Sequence, residues 1–410
     1  MSSVKLQRET LEVEIERLLP GGVGLAHAGG LTLFVSLAAP GDVVRIAIDR
    51  LQGKVGFGSI VEILKPSAVR IEPPCPYFGR CGGCDFQQLT YEAQLQAKVE
   101  IINDCLRRIA RLQIPFDIEI HPSPTPWHYR ARATWQLDAL GRLLGYFERG
   151  SNRVCDVEYC AVLVPELQKA LEQVRTDLHS ETNKQQPRTI DAVVGTEGVS
   201  LSSQTDQFQA REVSGNVGSE TYHFSADAFF QVNQELLASL VTEAIRGSSG
   251  TVHGQIAIDL YCGVGLFTLP LARNFSTVIG VEANPRATEF ARRNVIAAQR
   301  ESLRGNATSG YTEIVTSPVS EWLEKHTNLL GPIDFLLLDP PRAGVENRVV
   351  AGILNLRPRL LTYVSCDPAT LARDLKKLLA GGYTLDSLAA FDMFPQTHHV
   401  EVVARLAQRS

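Results

Sequence analysis

No stretch of the 410-residue chain contains the run of about 18 apolar residues that a membrane-spanning helix requires. Residues 1–10 also lack the apolar core of a secretory signal peptide. Hydrophobic residues make up 44% and charged residues 21% of the chain, which is typical of globular proteins outside membranes. We therefore expect a cytoplasmic protein without a membrane partner.

The chain has no excess of positive charge either: 40 Lys and Arg residues stand against 45 Asp and Glu residues, for a formal net charge of −5. Nucleic-acid-binding proteins are usually basic, so this total argues mildly against an RNA or DNA partner. A single basic face is enough for RNA binding, however, and residues 130–153 carry five arginines against two acidic residues. This segment fits either a solvated surface or an RNA contact.

A complete G-x-G-x-x-G motif for a dinucleotide is missing from the C-terminal part, where predicted strands and helices alternate as in a doubly wound parallel sheet. Residues 255–260 form a predicted strand followed by Gly263 and Gly265, and the next strand ends in Glu282. Glycines at such a turn let a ligand approach the backbone, and the acidic residue can bind ribose hydroxyls. The pattern favours a nucleoside without phosphates, such as S-adenosylmethionine, over a plain tight turn.

Three more polar residues stand out in this part. Asp339 begins the sequence Asp-Pro-Pro-Arg, whose prolines make a rigid loop suited either to holding a flat base or simply to ending a strand. Cys366 precedes a helix that we expect to begin near Pro368, where a helix N-terminus favours a thiolate; an ordinary core cysteine is the alternative. Glu401 lies in an apolar strand, where a carboxylate is either exposed on an edge or functional.

Three of the eight cysteines, Cys75, Cys81 and Cys84, lie close together with glycines between the last two. A cytoplasmic protein keeps its thiols reduced, so such a cluster indicates metal binding or catalysis rather than disulfides. Zinc sites more often use paired C-x2-C motifs, whereas uneven spacing with a distant fourth ligand also suits a [4Fe–4S] cluster. Cys155 and Cys160 are the candidates for that fourth ligand.

The N-terminal part predicts a small OB-like β-barrel. Residues 11–18 alternate apolar and polar side chains with the period of a strand, and residues 31–35 and 43–48 form two further strands between Gly/Pro turns. Such barrels often bind nucleic acids, but a purely structural barrel fits the pattern equally well.

Together these motifs resemble the RNA uracil-C5-methyltransferase family, which makes 5-methyluridine in ribosomal and transfer RNA. The N-terminal barrel resembles a TRAM domain, and Cys75, Cys81 and Cys84 resemble the cluster ligands of the family's iron–sulfur branch. The other matching stretches follow in the family's order and are Phe229-Phe-Gln-Val-Asn233, Asp259-Leu-Tyr-Cys-Gly-Val-Gly265, Asp339-Pro-Pro-Arg-Ala-Gly344, residues 365–373 and His399-Val-Glu401.

The resemblance implies a multidomain α/β protein. We expect an N-terminal OB-like β-barrel (TRAM) over residues 1–68 and a central α+β domain with a cysteine-bound cluster over residues 69–225. A C-terminal Rossmann-like methyltransferase sheet is expected over residues 226–410. A predicted helix over residues 91–111 has apolar side chains at helical spacing and is a candidate to pack on the methyltransferase domain. We expect a monomer.

The resemblance also implies roles for individual residues. Cys366 would be the nucleophile and Glu401 the general base. Among the cysteines it favours Cys160 over Cys155 as the fourth ligand of a [4Fe–4S] cluster, although Ala161 stands where the family usually has proline. The residues that would contact S-adenosylmethionine or position the target base are Gln231, Asp259, Tyr261, Gly263, Gly265, Glu282 and Asp339.

The chemistry explains these residue types. A thiolate that adds to C6 of uracil turns C5 into a nucleophile, and a base must then remove the C5 proton. The uridine has to leave its stack to reach both groups. The barrel and the cluster favour 23S ribosomal RNA as substrate.

Several alternatives remain open. They are the same reaction on a T-loop uridine of transfer RNA, methylation of an amino group, and an RNA-binding iron–sulfur or zinc protein with an inactive methyltransferase domain. The intact motif residues argue against the inactive domain, and an oxidoreductase is least favoured because a second cofactor motif is missing.

Overall fold

The computed structural model describes residues 10–180, 187–205, 207–247, 250–304, 310–326 and 331–409. Every helix within these ranges is too short or too polar to cross a membrane.

The N-terminal region is a six-stranded sheet in the order β1-β5-β6-β4-β3-β2, and only β4 and β6 pair in parallel. The predicted strand over residues 11–18 is divided in two, because Ile15 and Glu16 turn their N–H groups to Asp42 and Leu25 instead of continuing one ladder. The strands are β1 (Thr10–Glu14), β2 (Arg17–Leu19), β3 (Val23–Ala28), β4 (Leu31–Ser36), β5 (Val43–Gln52) and β6 (Val55–Lys65).

A helix, α1 (Tyr91–Cys105), follows the cysteine-rich segment and begins at Thr90, whose hydroxyl accepts the N–H of Ala93 at 3.4 Å. A π-helical turn (Leu106–Ala110) extends it, and Arg111 ends it in the left-handed region. The apolar side chains of α1 lie in the same core as the C-terminal sheet. The next strand, β7 (Glu119–His121), also joins that sheet.

The central region is built on a five-stranded antiparallel sheet in the order β10-β9-β8-β11-β12. One helix covers it, with Leu167, Leu171 and Val174 in the same core as Trp135. A two-stranded hairpin follows. The elements are β8 (Arg132–Leu137), β9 (Leu144–Phe147), β10 (Val154–Asp156), α2 (Pro165–Ser180), β11 (Thr189–Gly195), β12 (Gly198–Ser203), β13 (Val213–Val217) and β14 (Glu220–Phe224).

The C-terminal region contains an eight-stranded sheet in the order β19-β18-β17-β20-β21-β23-β22-β7. Its elements are α3 (Leu237–Ala244), β15 (Arg246–Gly247), β16 (Gly250–Thr251), β17 (Gly254–Leu260), α4 (Thr268–Ala272), β18 (Phe275–Glu282), α5 (Pro285–Arg304), β19 (Tyr311–Thr316), α6 (Val319–His326), β20 (Phe335–Leu338), α7 (Asn347–Leu356), β21 (Leu360–Ser365), α8 (Pro368–Ala380), β22 (Tyr383–Phe391) and β23 (Glu401–Gln408).

The strand–helix alternation expected for this region is confirmed. Strands β19, β18, β17, β20 and β21 are parallel, so their carboxyl ends meet at one edge of the sheet. Strand β23 runs antiparallel to β21 and therefore begins at that same edge. Ligands of open α/β sheets bind at this edge.

Candidate active site

Five of the residues singled out in the sequence form a row along this edge of the sheet. Each lies at the end of a parallel strand, directly beyond it, or at the start of β23, and strand pairing sets their order. Neighbouring strands are about 4.8 Å apart, so four spacings give a row of about 19 Å. From one end to the other the row consists of Glu282, Tyr261, Asp339, Cys366 and Glu401.

The thiol of Cys366 is partly buried between the end of β21 and the start of α8. Burial raises its pKa to about 12, and the facing carboxylate of Glu401 adds to this rise. The N-terminus of α8 does not help the thiolate, because Asp367 accepts the N–H groups of Ala369 and Thr370 at 2.9 and 2.8 Å. The stabilisation of the thiolate that the helix N-terminus was expected to give is therefore offset by the capping carboxylate of Asp367. This carboxylate itself raises the pKa of the thiol.

Arg342 is the group that favours the thiolate. Its positive charge lowers the pKa of Cys366 against the effect of burial, and it acts in the same direction on Glu401. The sequence pattern predicted only a rigid loop for Arg342. A cation directly after Asp339-Pro-Pro was the signal that could have identified it.

Glu401 is 4% exposed and is the first residue of β23, which lies between β21 and β22. The alternative that Glu401 sits on an exposed edge strand is therefore wrong. Burial raises its pKa well above the usual range, and its Oε1 has no hydrogen-bond partner among the described residues. Burial also raises the pKa of neighbouring Asp339, to about 7. A buried and a half-buried carboxyl group that repel each other's charge are suited to holding and moving a proton.

The other end of the row has the shape of a nucleoside site. Gly263 and Gly265 take positive φ angles of 55° and 94°, which leave the turn after β17 open to close approach by a ligand. Glu282 accepts the N–H of Gly263 at 3.2 Å and the N–H of Asn284 at 2.7 Å. Its carboxylate is thus held in place beside the turn.

Asp259 and Tyr261 complete this turn in different ways. Asp259 is fully buried and accepts the hydroxyl of Thr268 at 2.5 Å, so it supports the turn from beneath. Burial raises its pKa to about 7. Tyr261 takes a φ of 63°, a strained conformation for a residue with a side chain, directly before the glycines.

Gln231 lies on the segment between β14 and α3 and is only 7% exposed. Its neighbour Phe230 stacks on Phe224 with ring centroids 4.1 Å apart. Phe229 points outward, 57% exposed, with the guanidinium of Arg132 lying 5.5 Å from its ring centroid. An exposed aromatic ring at this position can stack on a base. Phe229 begins one of the matching motifs, but the sequence predicted no role for it.

The four cysteines expected to bind a cluster, Cys75, Cys81, Cys84 and Cys160, line one pocket. Cys155 does not line it and instead accepts the Nε–H of Arg80 at 3.2 Å. Among the described residues, no group of three His, Cys, Asp or Glu side chains has the arrangement of a formed metal site.

The surroundings of this pocket fit an anionic group. Burial raises the pKa of Cys81 to about 11, so its thiol is neutral near pH 7 in the arrangement described. Arg130 lines the same pocket, its charge acts on Cys84 and Cys160, and its buried Nε–H has no partner among the described residues. A thiolate-bound cluster would supply the missing negative charge.

Comparison with known proteins gives consistent results. Residues 156–409 match the model of the tRNA (uracil-5-)-methyltransferase family, and residues 4–61 match the TRAM domain. An uncharacterized RNA methyltransferase of Gloeobacter violaceus is 33% identical, over 98% of this chain and 97% of that protein. The 23S rRNA (uracil(1939)-C(5))-methyltransferase RlmD of Shewanella halifaxensis is 32% identical, over 96% of this chain and 95% of that protein.

A solved structure shares the fold over nearly the whole chain. The tRNA (uracil-54, C5)-methyltransferase of Pyrococcus abyssi, in complex with S-adenosyl-L-homocysteine, superposes with a TM-score of 0.70. The match covers 97% of this chain and all of that chain at 24% sequence identity.

Proposed function

Because the chain belongs to the tRNA (uracil-5-)-methyltransferase family and is an S-adenosylmethionine-dependent RNA methyltransferase, we propose that it methylates C5 of one specific uridine in 23S ribosomal RNA. The observation that carries the proposal is the juxtaposition of the Cys366 thiol with the buried carboxyl group of Glu401, whose Oε1 has no hydrogen-bond partner among the described residues. A methyltransferase that acts on an amino group needs neither a nucleophilic thiol nor a base of this kind beside it.

In the proposed reaction the sulfur of Cys366 forms a bond to C6 of the uracil, and the electrons of the C5–C6 double bond move towards C5 and O4. S-adenosylmethionine supplies the methyl group that C5 takes. Glu401 then accepts the proton from C5, the double bond forms again, and the C6–sulfur bond breaks. Arg342 favours the thiolate needed in the first step, and its charge also lies beside Glu401.

We assign the methyl donor to the Glu282 end of the row and the uracil to the Cys366 end, with Asp339 between them. The open turn at Gly263 and Gly265 supports this assignment, since a nucleoside can approach the backbone there. Asp259 would shape the turn from below, whereas Tyr261 and Glu282 would contact the donor. Gln231 would face the donor or the base from the segment that carries Phe229.

We also propose that Cys75, Cys81, Cys84 and Cys160 hold a [4Fe–4S] cluster. The shared pocket supports this assignment, as does the buried Nε–H of Arg130, which has no partner within the described ranges. The cluster would order the central region, and no step of the reaction passes through it. Iron and sulfide assays with a visible absorption spectrum after anaerobic purification test the proposal. A colourless protein with stoichiometric zinc would contradict it.

The relatives support the choice of ribosomal RNA as the proposed substrate. The Shewanella protein, which acts on 23S ribosomal RNA, is 32% identical to this chain over nearly its whole length. The Pyrococcus protein, which acts on transfer RNA, is 24% identical. Methylation of a transfer RNA uridine is the second candidate, and the shared fold with the Pyrococcus protein favours it.

Tritium release tests both points. Transcripts of 23S ribosomal RNA and transfer RNA, each carrying C5-tritiated uridine, are incubated with and without S-adenosylmethionine. We expect release from the ribosomal transcript only, dependent on the donor, and none with Cys366→Ala. Methyl incorporation without tritium release would mean that C5 is not the acceptor. Release from transfer RNA alone would reassign the substrate.

A further inference from the structure

The loop that leads into Glu401 is held by residues from far earlier in the chain. Residues 392–400 connect β22 to β23. The ammonium group of Lys98, fully buried on α1, pairs with the carboxylate of Asp392 and donates to the carbonyl of Phe394 at 3.1 Å. The hydroxyl of Tyr129 donates to the carbonyl of Pro395 at 2.9 Å. The first half of the loop is therefore held in place by Lys98 and Tyr129.

The second half of the loop is held by the residue that follows Cys84. The main-chain N–H of His398 donates to Oδ1 of Asp85 at 2.7 Å, and Nδ1 of the same histidine lies 2.6 Å from Oδ2. The N–H groups of Asp85 and Phe86 both donate to the carbonyl of Gln396 at 3.0 Å. These four contacts join the cysteine segment to the loop three residues before Glu401.

Other elements close around the same point. Gln94 of α1 donates to Oε1 of Gln396 at 3.0 Å and accepts its N–H at 2.9 Å. Gly22, in the turn between β2 and β3, lies so close that an added Cβ would be 3.2 Å from His398 and 3.4 Å from Asp85. Asp85 is buried where the N-terminal sheet, the segment of Cys75 to Cys84 and the loop of residues 392–400 meet.

We propose that Asp85 is a positioning residue that fixes residues 392–400 and thereby aims the carboxyl group of Glu401 at the C5 proton. This inference rests on the proposed function. It links the cysteine pocket to one step of the reaction, proton removal, through the peptide that runs from Cys84 to Asp85. Attack by Cys366 and methyl transfer do not depend on the loop in the same way, because Cys366 is carried by β21 and α8.

A misaimed base has a specific consequence. After the C6–sulfur bond has formed and C5 has taken the methyl group, the adduct can collapse only when the C5 proton leaves. If Glu401 is displaced, the proton stays on C5 and the RNA remains covalently attached to Cys366. A protein–RNA band that survives denaturation therefore shows that Glu401 is displaced. A variant that fails to fold would not form such a band.

The experiment uses the full-length protein with Asp85→Ala, and Glu72→Ala as the matched control at an exposed carboxylate three residues before Cys75. With Asp85→Ala we expect tritium release at least about tenfold slower and a correspondingly larger fraction of methylated, covalently attached RNA. The KM for RNA, binding of S-adenosylmethionine by calorimetry and metal content should stay near those of the parent protein and of Glu72→Ala.

The second variant, His398→Ala, removes the imidazole beside Oδ2 of Asp85 but keeps the main-chain N–H that donates to Oδ1, so it should give the same adduct in a smaller amount. The double variant should be no slower than Asp85→Ala alone, since Asp85→Ala already removes both contacts. Parental release and adduct levels in both single variants would overturn the proposal, as would lost activity with no adduct in both. If the parent protein itself released no tritium, the proposed function would be wrong. If the parent and both variants released tritium at the same rate, only the role of Asp85 would be wrong.

Discussion

Cys366 and Glu401 face each other with both acid groups biased towards their protonated forms. Burial raises the pKa of the thiol to about 12 and that of the carboxyl group well above its usual range. Both groups must nevertheless be deprotonated at their steps of the proposed reaction. Arg342 is the cation that opposes burial at both sites, so the activity should depend on pH and on this residue.

The rate should rise with pH. A raised pKa means that the thiolate fraction grows about tenfold per pH unit below that pKa, and deprotonation of Glu401 changes in the same direction. We therefore expect kcat/KM to increase between about pH 6.5 and about pH 8.5 without a falling limb, as measured by methyl incorporation.

Arg342→Gln should follow a parallel curve about tenfold lower, because the charge that lowers the pKa of Cys366 is gone. Arg348→Gln is the control, since Arg348 pairs with Glu346 in the same region of the chain. A rate that falls above neutral pH, or an Arg342→Gln variant as fast as the parent, would contradict this account of the thiol.

At the scale of the element, the loop after β20 depends on one glycine. Gly344 has a φ of 71°, and an added Cβ would lie 2.5 Å from Nη2 of Arg373 and 2.6 Å from Oδ2 of Asp374. Asp374, buried on α8, accepts the N–H of Val345 and the hydroxyl of Tyr363, each at 3.1 Å. The loop that carries Asp339 is therefore fastened to α8 and β21 at this glycine.

Gly344→Ala should destabilise the protein by about 1–3 kcal/mol and slow methyl transfer, because the Cβ breaks the contacts of Asp374 and strains the backbone. Gly218→Ala is the control, since Gly218 also has a positive φ, of 60°, but an added Cβ there would meet no atom within 4 Å. Urea unfolding of the two variants separates the cost of backbone strain, which both share, from the cost of the lost contacts of Asp374, which only Gly344→Ala has. Equal losses in both would mean that the fastening of the loop contributes nothing.

At the scale of the whole molecule, two parts that are distant in sequence, α1 and the C-terminal sheet, are joined through a buried ion pair. Lys98 on α1 and Asp392 at the end of β22 are both fully buried and pair with each other. Burial lowers the pKa of Lys98, and Asp392 opposes this effect. Breaking such a pair leaves an uncompensated charge inside the protein, which costs far more than the loss of a surface pair.

Lys98→Met should lower the free energy of unfolding by about 3–5 kcal/mol, since Asp392 loses its counter-charge in the core. Lys54→Met, at an exposed position between β5 and β6 of the N-terminal sheet, should change it by less than about 0.5 kcal/mol. The double variant Lys98→Met with Asp392→Leu should recover part of the loss. Chemical denaturation measures all three, and a near-parental Lys98→Met would show that the pair does not join the two parts.

The sequence by itself determined the elements that local patterns specify. The strand–helix alternation of the C-terminal region predicted a strand at 255–260, which lies within β17, and a next strand that ends in Glu282, as β18 does. Apolar runs of this length identify buried strands because both faces of a parallel sheet are covered. The motifs also singled out the row from Glu282 to Glu401, since polar residues at the carboxyl ends of such strands share one edge.

The tertiary structure decided what depends on contacts between distant parts of the chain. No local pattern indicated that Glu401 is enclosed between two strands or that Lys98 pairs with Asp392 inside the protein. Asp85 and His398 are 313 positions apart, so their contact has no periodicity by which a sequence could reveal it. Such pairings arise from packing and burial, which act between surfaces that only the folded chain brings together.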